Sequence, residues 1–246
     1  METHANHLHK TPGKNFWHYF FEFFMLFLAV FCGFLAENYR EHVVEREREK
    51  QFVESYIEDL KLDTTAIRKN LDFRKIKIQQ LDSFMLLLST GQIKGHENEL
   101  YYFGRMLVRT NRFQSNDRTI TQLKNSGSLR LIRNEQAADS MMAYQKAVEM
   151  VSGNYDDEKT ERYNVFPIIS KMFSPFVFDK MMTIDGINRP ENNPPLRSYD
   201  ENLQLDLAFY VHQIKGSSFL IQSRLIILKS KAENIIKFLK KEYHLD

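Results

Sequence analysis

The strongest pattern in the chain is an unbroken apolar run near its N-terminus. It extends from Phe16 to Ala36, comprises 21 residues, lacks proline, and contains no charged or histidine side chain other than His18 and Glu22. A hydrocarbon core about 30 Å thick requires roughly 20 helical residues at a rise of 1.5 Å each, so the run is long enough to cross a membrane once. We predict a transmembrane helix over residues 16–36, preceded by a short mobile tail at residues 1–15.

At about 100° per residue, the predicted membrane helix separates into two faces. One face, which we name the Glu22 face, carries His18, Glu22, Ala29, Gly33 and Ala36. All eight phenylalanines of the run lie well away from it. Small residues let helix backbones approach closely, whereas lipid gains nothing from a small, polar stripe. We therefore expect the phenylalanine surface to contact lipid and the Glu22 face to pack on another transmembrane helix.

Two other kinds of N-terminal segment fit this run less well. A cleaved signal peptide has a shorter apolar core and small residues at positions −3 and −1, whereas Phe34 stands at −3 of an end at Ala36. A lipoprotein requires a small residue before its cysteine, whereas Phe31 precedes Cys32. The pattern favours an uncleaved anchor.

After the anchor, a long stretch without glycine or proline runs from Glu37 to Leu88. Apolar or small positions recur there at alternating steps of four and three: Val53, Ile57, Leu60, Thr64, Ile67, Leu71, Ile78, Leu81, Met85 and Leu88. Only Arg74 breaks the series. This spacing is typical of the seam of a coiled coil or helical bundle. We predict a stalk helix over 37–89, continuous with the anchor, whose charge-rich part at 41–50 is solvated.

Glycines and capping residues divide the middle of the chain into shorter helices, predicted at 97–111, 118–126 and 134–166. Either Asn116 or Asp117 is a suitable N-cap for the second of these helices. Gly127 stands where a left-handed C-cap is required. Asn134 is the expected N-cap of the third helix.

The C-terminal part begins with a proline-rich segment and ends with a second long seam. Residues 174–199 are predicted as a loop, and loops of this length are either functional or disordered, so both alternatives stay open. Asp200 should cap a helix over 200–243. Its predicted seam is Leu203, Leu207, Tyr210, Ile214, Ser217, Ile221, Leu225, Leu228, Ala232, Ile235 and Leu239. The expected fold is all-α: one transmembrane helix continuing into an elongated antiparallel helical bundle or coiled coil over 37–246.

Composition narrows the possible functions. The 34 basic and 32 acidic residues are mixed throughout, and no basic stripe with interleaved aromatic residues appears, so we expect no nucleic-acid partner. A single cysteine, Cys32, rules out a disulfide framework. His96 and Glu97 lack the second histidine of a zinc-protease helix, and no phosphate-binding loop, nucleophile elbow or paired-cysteine site occurs. We expect no catalytic residue, metal or cofactor, and hence no enzyme.

Glu22 is the one carboxylate that the pattern places within a membrane. The remaining acids alternate with lysine and arginine, and we expect them on solvated faces. A carboxyl group in the membrane is costly and is a functional candidate by default. Its role is either structural, through a hydrogen bond to a neighbouring helix or to headgroups, or linked to a proton or ion.

A second motif lies in the most punctuated part of the chain. It consists of Asn116, Thr119, Leu123, Asn125, Ser126, Gly127, Leu129, Leu131 and Ile132, followed by a helix that opens at Asn134. With Glu22, Ala29 and Gly33 of the anchor, the chain resembles an uncharacterised family, a domain of unknown function, of bacterial single-pass membrane proteins. The resemblance runs from about Phe16 to the C-terminus. It implies a membrane-bound helical protein and supplies no activity. The phenylalanine-rich anchor and the sparsely basic tail depart from the family's pattern.

These observations favour an interaction protein: a membrane-anchored helical scaffold or accessory subunit of an inner-membrane complex. The expected partners are membrane lipid and another transmembrane protein or further copies of the chain. The alternative is a periplasmic helical-bundle sensor or ligand-binding module that signals through a partner. Near the anchor, two basic residues precede it and four follow it, a count that does not decide orientation for a long domain. The resemblance suggests a cytoplasmic N-terminus and a periplasmic bundle in the bacterial inner membrane.

Overall fold

A computed structural model of the protein describes residues 16–91 and 93–245. The predicted tail at residues 1–15 lies outside the described residues. The elements are α1 (Phe16–Ser89), α2 (Glu97–Leu107), α3 (Arg118–Asn125), a 3-10 turn (Ser128–Leu131), α4 (Glu135–Asn164), α5 (Phe166–Met172), α6 (Pro175–Lys180), β1 (Met182–Thr183), β2 (Gly186–Ile187) and α7 (Glu201–Glu242). The predicted all-α class is confirmed. The short strands β1 and β2 pair antiparallel and form the only sheet in the described part of the chain.

The chain divides into two compact units, residues 1–50 and 51–246. The described part of the first unit is the N-terminal portion of α1. Every side chain from Phe16 to Ala36 is exposed there. Among the described helices, α1 is the one long and apolar enough to span a membrane, and none of its apolar window is buried. A helix satisfies its backbone hydrogen bonds internally, which is what a spanning segment requires.

In the second unit, α1 and α4 run parallel. Tyr56 donates to the carbonyl oxygen of Met141 at 3.5 Å, and Arg74, further along α1, contacts Glu158, further along α4. The connection between the two helices explains this direction, because it returns along α1: α2 packs near the end of α1, and α3 lies beside Asp59.

The last helix, α7, runs antiparallel to α4. Its residue Ser218 contacts Glu158, whereas Lys231, later in α7, contacts Ala143, earlier in α4. The bundle is therefore antiparallel only in part: α7 opposes α4, while α1 and α4 share a direction.

Two apolar clusters make up the core. The first is built from α1, α3, α4 and α7, with Ile67, Leu123, Met141 and Leu225 among its fully buried members. The second is built from later residues of α1, from α2 and α5, and from earlier residues of α7, with Leu81, Leu100, Met172 and Leu207 among its members. Along α1 and α7 the clusters are separated by a stretch that buries polar side chains, described below.

The predicted seams are correct in spacing and wrong at several positions. On α7 the buried residues are Gln204, Val211 and Ser218 rather than Leu203, Tyr210 and Ser217, so the steps of three and four continue unbroken along the helix. The apolar pattern missed this register because two of the buried positions are polar. Gln204 is satisfied by a bond from its Nε2 to the carbonyl oxygen of Tyr199 at 2.9 Å.

The segment 174–199, predicted as a loop, contains the short elements α6, β1 and β2. Pro175 opens α6, where its missing N–H costs nothing. Ile184 and Asp185 then connect β1 to β2, and Gly186, the first residue of β2, has a φ of +140°. Further along, Asn193 Oδ1 accepts the backbone N–H of Asn98 at 2.8 Å and ties the segment to α2.

Two helix ends also differ from the prediction. α2 ends at Leu107 rather than 111, because Lys77 takes the backbone carbonyls that would continue the helix. α4 ends at Asn164, and Pro167 lies in the first turn of the new helix α5. The remaining bounds coincide with the predicted ones or differ from them by a single residue.

Candidate functional site

The Glu22 face lies on the exposed N-terminal portion of α1. His18, Glu22, Ala29, Gly33 and Ala36 are all helical and exposed. A Cβ atom built on Gly33 meets no other atom within 4 Å. Within the described part of this chain, therefore, no other element packs on the face at that position. Its role in helix packing stays a prediction.

The second motif is bound to α1 by two carboxylates that the sequence-based reasoning missed. Asp59 Oδ2 accepts the backbone N–H of Thr119 at 2.9 Å, and its Oδ1 accepts Arg118 Nη2 at 3.1 Å. Asp117 occupies the N-cap position of α3 but makes no capping bond with its side chain. The cap of α3 is thus supplied by Asp59 from another helix, where its charge also suits the positive helix end.

Asp63, one turn further along α1, binds the start of the same motif. Its Oδ1 accepts the backbone N–H of Asn116 at 2.6 Å and the side-chain Nδ2 at 2.8 Å. Its Oδ2 accepts the hydroxyl of Tyr144 at 2.8 Å. Burial raises the pKa of Asp63, although these hydrogen bonds oppose the change. Burial likewise raises the pKa of Tyr144, and the Asp63 carboxylate adds to the effect.

The other motif residues have structural roles. Leu123 and Ile132 are buried, and Leu129 is half-buried. The hydroxyl of Ser126 donates to the carbonyl oxygen of Gln122 at 2.7 Å. Gly127 has a φ of +66°, the left-handed conformation predicted for it. Asn134 accepts the backbone N–H of Ala137 at 2.9 Å and caps α4. The motif is a folding element, held against α1 and α4.

A buried polar layer, formed by Arg74, Lys77, Glu158 and Ser218, lies between the two apolar clusters. Arg74 is 0% exposed and Glu158 is 1% exposed. The guanidinium contacts both carboxylate oxygens of Glu158, with Nη2 to Oε2 at 3.0 Å. Thr110 and Ser218 donate their hydroxyls to the same carboxylate at 3.0 and 3.2 Å. Arg74, which broke the predicted seam, is therefore a core residue.

The electrostatics of the layer favour a charged pair. Burial alone would raise the pKa of Glu158, but the hydrogen bonds and charge of Arg74 outweigh it and hold that pKa below its usual range. Thr110 and Arg162 contribute in the same direction. Arg74 also lies 5.0 Å from the centre of the Tyr155 ring, a distance at which a cation is attracted to the ring face.

Lys77 is buried beside this pair. Burial lowers its pKa to about 7, although the charge of Glu158 opposes the shift. Its Nζ donates to the carbonyl oxygens of Met106, Leu107 and Arg109 at 2.5, 2.7 and 3.1 Å. A buried lysine with a lowered pKa is a candidate nucleophile. Here all three N–H donors are occupied by the end of α2, so the geometry indicates a structural role.

The expectation that acids other than Glu22 lie on solvated faces is wrong. Asp59, Asp63, Glu97 and Glu158 are all buried. Glu97 accepts hydrogen bonds from the backbone of Gly95 at 2.7 Å, from Asn193 Nδ2 at 2.5 Å and from Tyr199 at 2.8 Å. Charge alternation predicted solvation because it does not reveal a donor that is distant in the sequence. Among the described residues, no group of three or more His, Cys, Asp or Glu side chains is placed to hold a metal ion.

One cavity combines an apolar wall with positive charge. It lies against α2, α5 and α6 and has a volume of about 300 Å³. Seven of its ten lining residues are apolar, Ile169, Phe173 and Phe178 among them. The other three are Arg105, Ser170 and Arg197, and none is acidic. We name it the arginine cavity. It was not predictable from the sequence, because its residues come from four separate segments.

The two arginines of this cavity differ from Arg74 in their partners. Arg105 Nη2 contacts the sulfur of Met182 at 2.9 Å, and its buried Nε has no hydrogen-bond partner. Burial lowers the pKa of Arg105, and the nearby charge of Arg109 adds to the effect. Arg197 donates to the carbonyl oxygen of Ser170 at 2.9 Å. Among the described residues, neither guanidinium is paired with a carboxylate.

Comparisons of the chain with protein-family models, curated proteins and solved structures found no match. The resemblance to a family of bacterial single-pass membrane proteins therefore stays a prediction based on the sequence.

Proposed function

We propose that the protein is a membrane-anchored helical scaffold or accessory subunit, which docks a partner transmembrane helix through the Glu22 face. The observation that carries this proposal is the exposed N-terminal portion of α1, where Gly33 has open space around it. A membrane helix buries such a position only against another helix, from a different protein or a second copy.

The second unit supports an interaction role rather than chemistry. Three of its buried charged groups bind within the fold: Arg74 and Glu158 bind each other, and Lys77 binds the end of α2. Buried pairs of this kind favour one arrangement of helices over others. A bundle with one fixed arrangement is suited to present a surface to a partner. In this proposal the anchor lies in the bacterial inner membrane, with the N-terminus cytoplasmic and the bundle periplasmic.

Purification in mild detergent tests the proposal. A stoichiometric membrane protein that elutes with the chain, or a defined oligomer of the chain itself, is the expected result. A monomer without a protein partner would contradict it. Reporter fusions at the C-terminus test the orientation independently: alkaline phosphatase should be active there and a cytoplasm-only reporter inactive.

A second candidate function is a ligand-binding module whose occupancy is passed to a partner. The arginine cavity favours it, because a concave, mostly apolar site with a few convergent polar groups is typical of small-molecule binding. The two candidates are compatible, since the cavity and the Glu22 face share no residue.

A further inference from the structure

We propose that the arginine cavity binds a small organic anion with an apolar body, a carboxylate of medium chain length. This inference rests on the second candidate function and names its ligand class. The inference does not involve the Glu22 face, so the ligand-binding proposal and the docking proposal can each fail without the other.

The charge of the cavity selects an anion. Arg105 and Arg197 both line it, and none of the ten lining residues is acidic. The buried Nε of Arg105 lacks an acceptor within the described chain. A guanidinium presents its donors in a fixed fork that matches the two oxygens of a carboxylate. A bound carboxylate would pair with these guanidinium groups, neither of which has a carboxylate partner among the described residues.

The wall of the cavity selects an apolar body. The ring centres of Phe173 and Phe178 lie 5.4 Å apart with the ring planes inclined by 31°, and Phe173 is only 1% exposed. The backbone of Gly104 allows Phe173 this close approach, because a Cβ on Gly104 would lie 2.9 Å from the ring atom Cζ. Phe173 is therefore fixed behind the wall and supports the half-buried ring of Phe178, against which a flexible chain can bury area without rearranging the protein.

The volume sets the size of the ligand. At about 30 Å³ for each small group, the volume that a water molecule occupies in the liquid, a cavity of about 300 Å³ holds about ten non-hydrogen atoms. Octanoate, with a carboxylate and a chain of eight carbons in all, is a probe of that size. Octanol has the same chain length but no charge, and octylammonium has the same chain length with a positive charge. Comparing the three probes separates the contribution of the negative charge from that of the apolar chain.

The experiment is a calorimetric titration of the full-length protein in nanodiscs of zwitterionic lipid. Octanoate and octylammonium are added below their critical micelle concentrations, and octanol is added below its aqueous solubility. Octanoate should saturate one site per chain. Octanol should bind at least about tenfold more weakly, the loss expected when a charge-assisted hydrogen bond is removed. Octylammonium should show no saturable binding. Equal binding of octanol and octanoate would overturn the proposal.

Three variants locate the site. Arg105→Gln and Arg197→Gln should each weaken octanoate binding at least about tenfold. Arg109→Gln is the matched control, since Arg109 is an exposed arginine near Arg105 that does not line the cavity. It should bind octanoate within about twofold of the parent protein.

Partitioning into the bilayer is the main competing explanation. In that case the parent protein and both cavity variants would give the same heat, and this result would overturn the proposal. Because Arg197 is exposed, Arg197→Gln should fold normally and carries the test if Arg105→Gln does not fold. Gly33→Leu, on the Glu22 face, should leave octanoate binding unchanged.

Discussion

Arg74 on α1 and Glu158 on α4 form a two-point ion pair in the layer between the apolar clusters, and both side chains are almost completely buried. Such a pair is a weak source of net stability, because each charge loses its hydration. We propose that its larger effect is on specificity. Sliding α1 along α4 by one turn would leave both charges buried without a partner, so the pair fixes the alignment of the two helices.

Replacing one member of this pair should leave a buried charge without a partner, whereas replacing both members should not. Arg74→Met and Glu158→Leu should each lower the free energy of unfolding by about 3 kcal/mol or more, because each leaves one buried charge unpaired. The double variant should lose clearly less than the sum of the two single losses. Urea unfolding followed by circular dichroism measures all four proteins. Additive losses would mean that the two charges do not stabilise each other.

Lys77 should make stability depend on pH. Burial lowers its pKa to about 7 in the folded protein, while an unfolded lysine titrates near 10.4. Between these values the unfolded chain binds more protons, so the free energy of unfolding should rise with pH, by at most about 1.4 kcal/mol per pH unit. Measured between pH 7 and 9, the stability of the parent protein relative to Lys77→Met should increase. The exposed Lys75→Met is the control, and its difference from the parent should stay constant.

The side chain of Asp59 should stabilise the start of α3 although Asp59 lies on α1. Asp59→Ala should lower the free energy of unfolding by about 1–2 kcal/mol, since it leaves the N–H of Thr119 without its acceptor. Hydrogen exchange should become faster at the amides of α3. Asp72→Ala, at an exposed position of the same helix, should be neutral. Unchanged exchange in α3 would show that the cap contributes nothing.

Alanine substitutions at two glycines should change the stability of the protein in opposite directions. Gly127 has a φ of +66°, so Gly127→Ala should cost about 1 kcal/mol. Gly153 lies inside α4 with open space around it, so Gly153→Ala should stabilise the protein by up to about 1 kcal/mol. Thermal unfolding compares the two variants. A lowered melting temperature for Gly153→Ala would contradict the conformation of Gly153. An unchanged melting temperature for Gly127→Ala would contradict the left-handed conformation of Gly127.

Local signals in the sequence predicted much of this fold, because they act over a few residues. Seam spacing indicated the long helices, and Gly127 and Asn134 marked a helix end and a helix start. Long-range pairing was not predictable in this way. Arg74 stands in step with the seam of α1, seven residues from both Ile67 and Leu81, yet its partner Glu158 lies 84 residues away.

The candidate sites also divide into one that a local pattern predicts and others that depend on long-range packing. The Glu22 face follows from helical periodicity alone. The structure confirms the helix, and among the described residues nothing packs on the face at Gly33. Asp59 and Asp63 are four residues apart beside a buried seam, a spacing that is also typical of solvated acids. Their backbone donors, Thr119 and Asn116, lie 60 and 53 residues away, so their burial was not predictable from the local pattern. The arginine cavity had no comparable signal, since Arg105 and Arg197 come together only through the packing of α2 against the segment after α5.

The most direct test of the proposed function places bulk on the Glu22 face. Gly33→Leu should abolish co-purification with the membrane partner, or self-association if the partner is a second copy, because it blocks close backbone approach. Phe27→Leu, on the lipid-facing side, should assemble like the parent protein. Glu22→Gln keeps the shape and most hydrogen bonds, so normal assembly with altered activity in cells would indicate a proton-linked role. If Gly33→Leu and Glu22→Ala both assemble like the parent protein, the Glu22 face is not an interface and the proposed docking function is wrong.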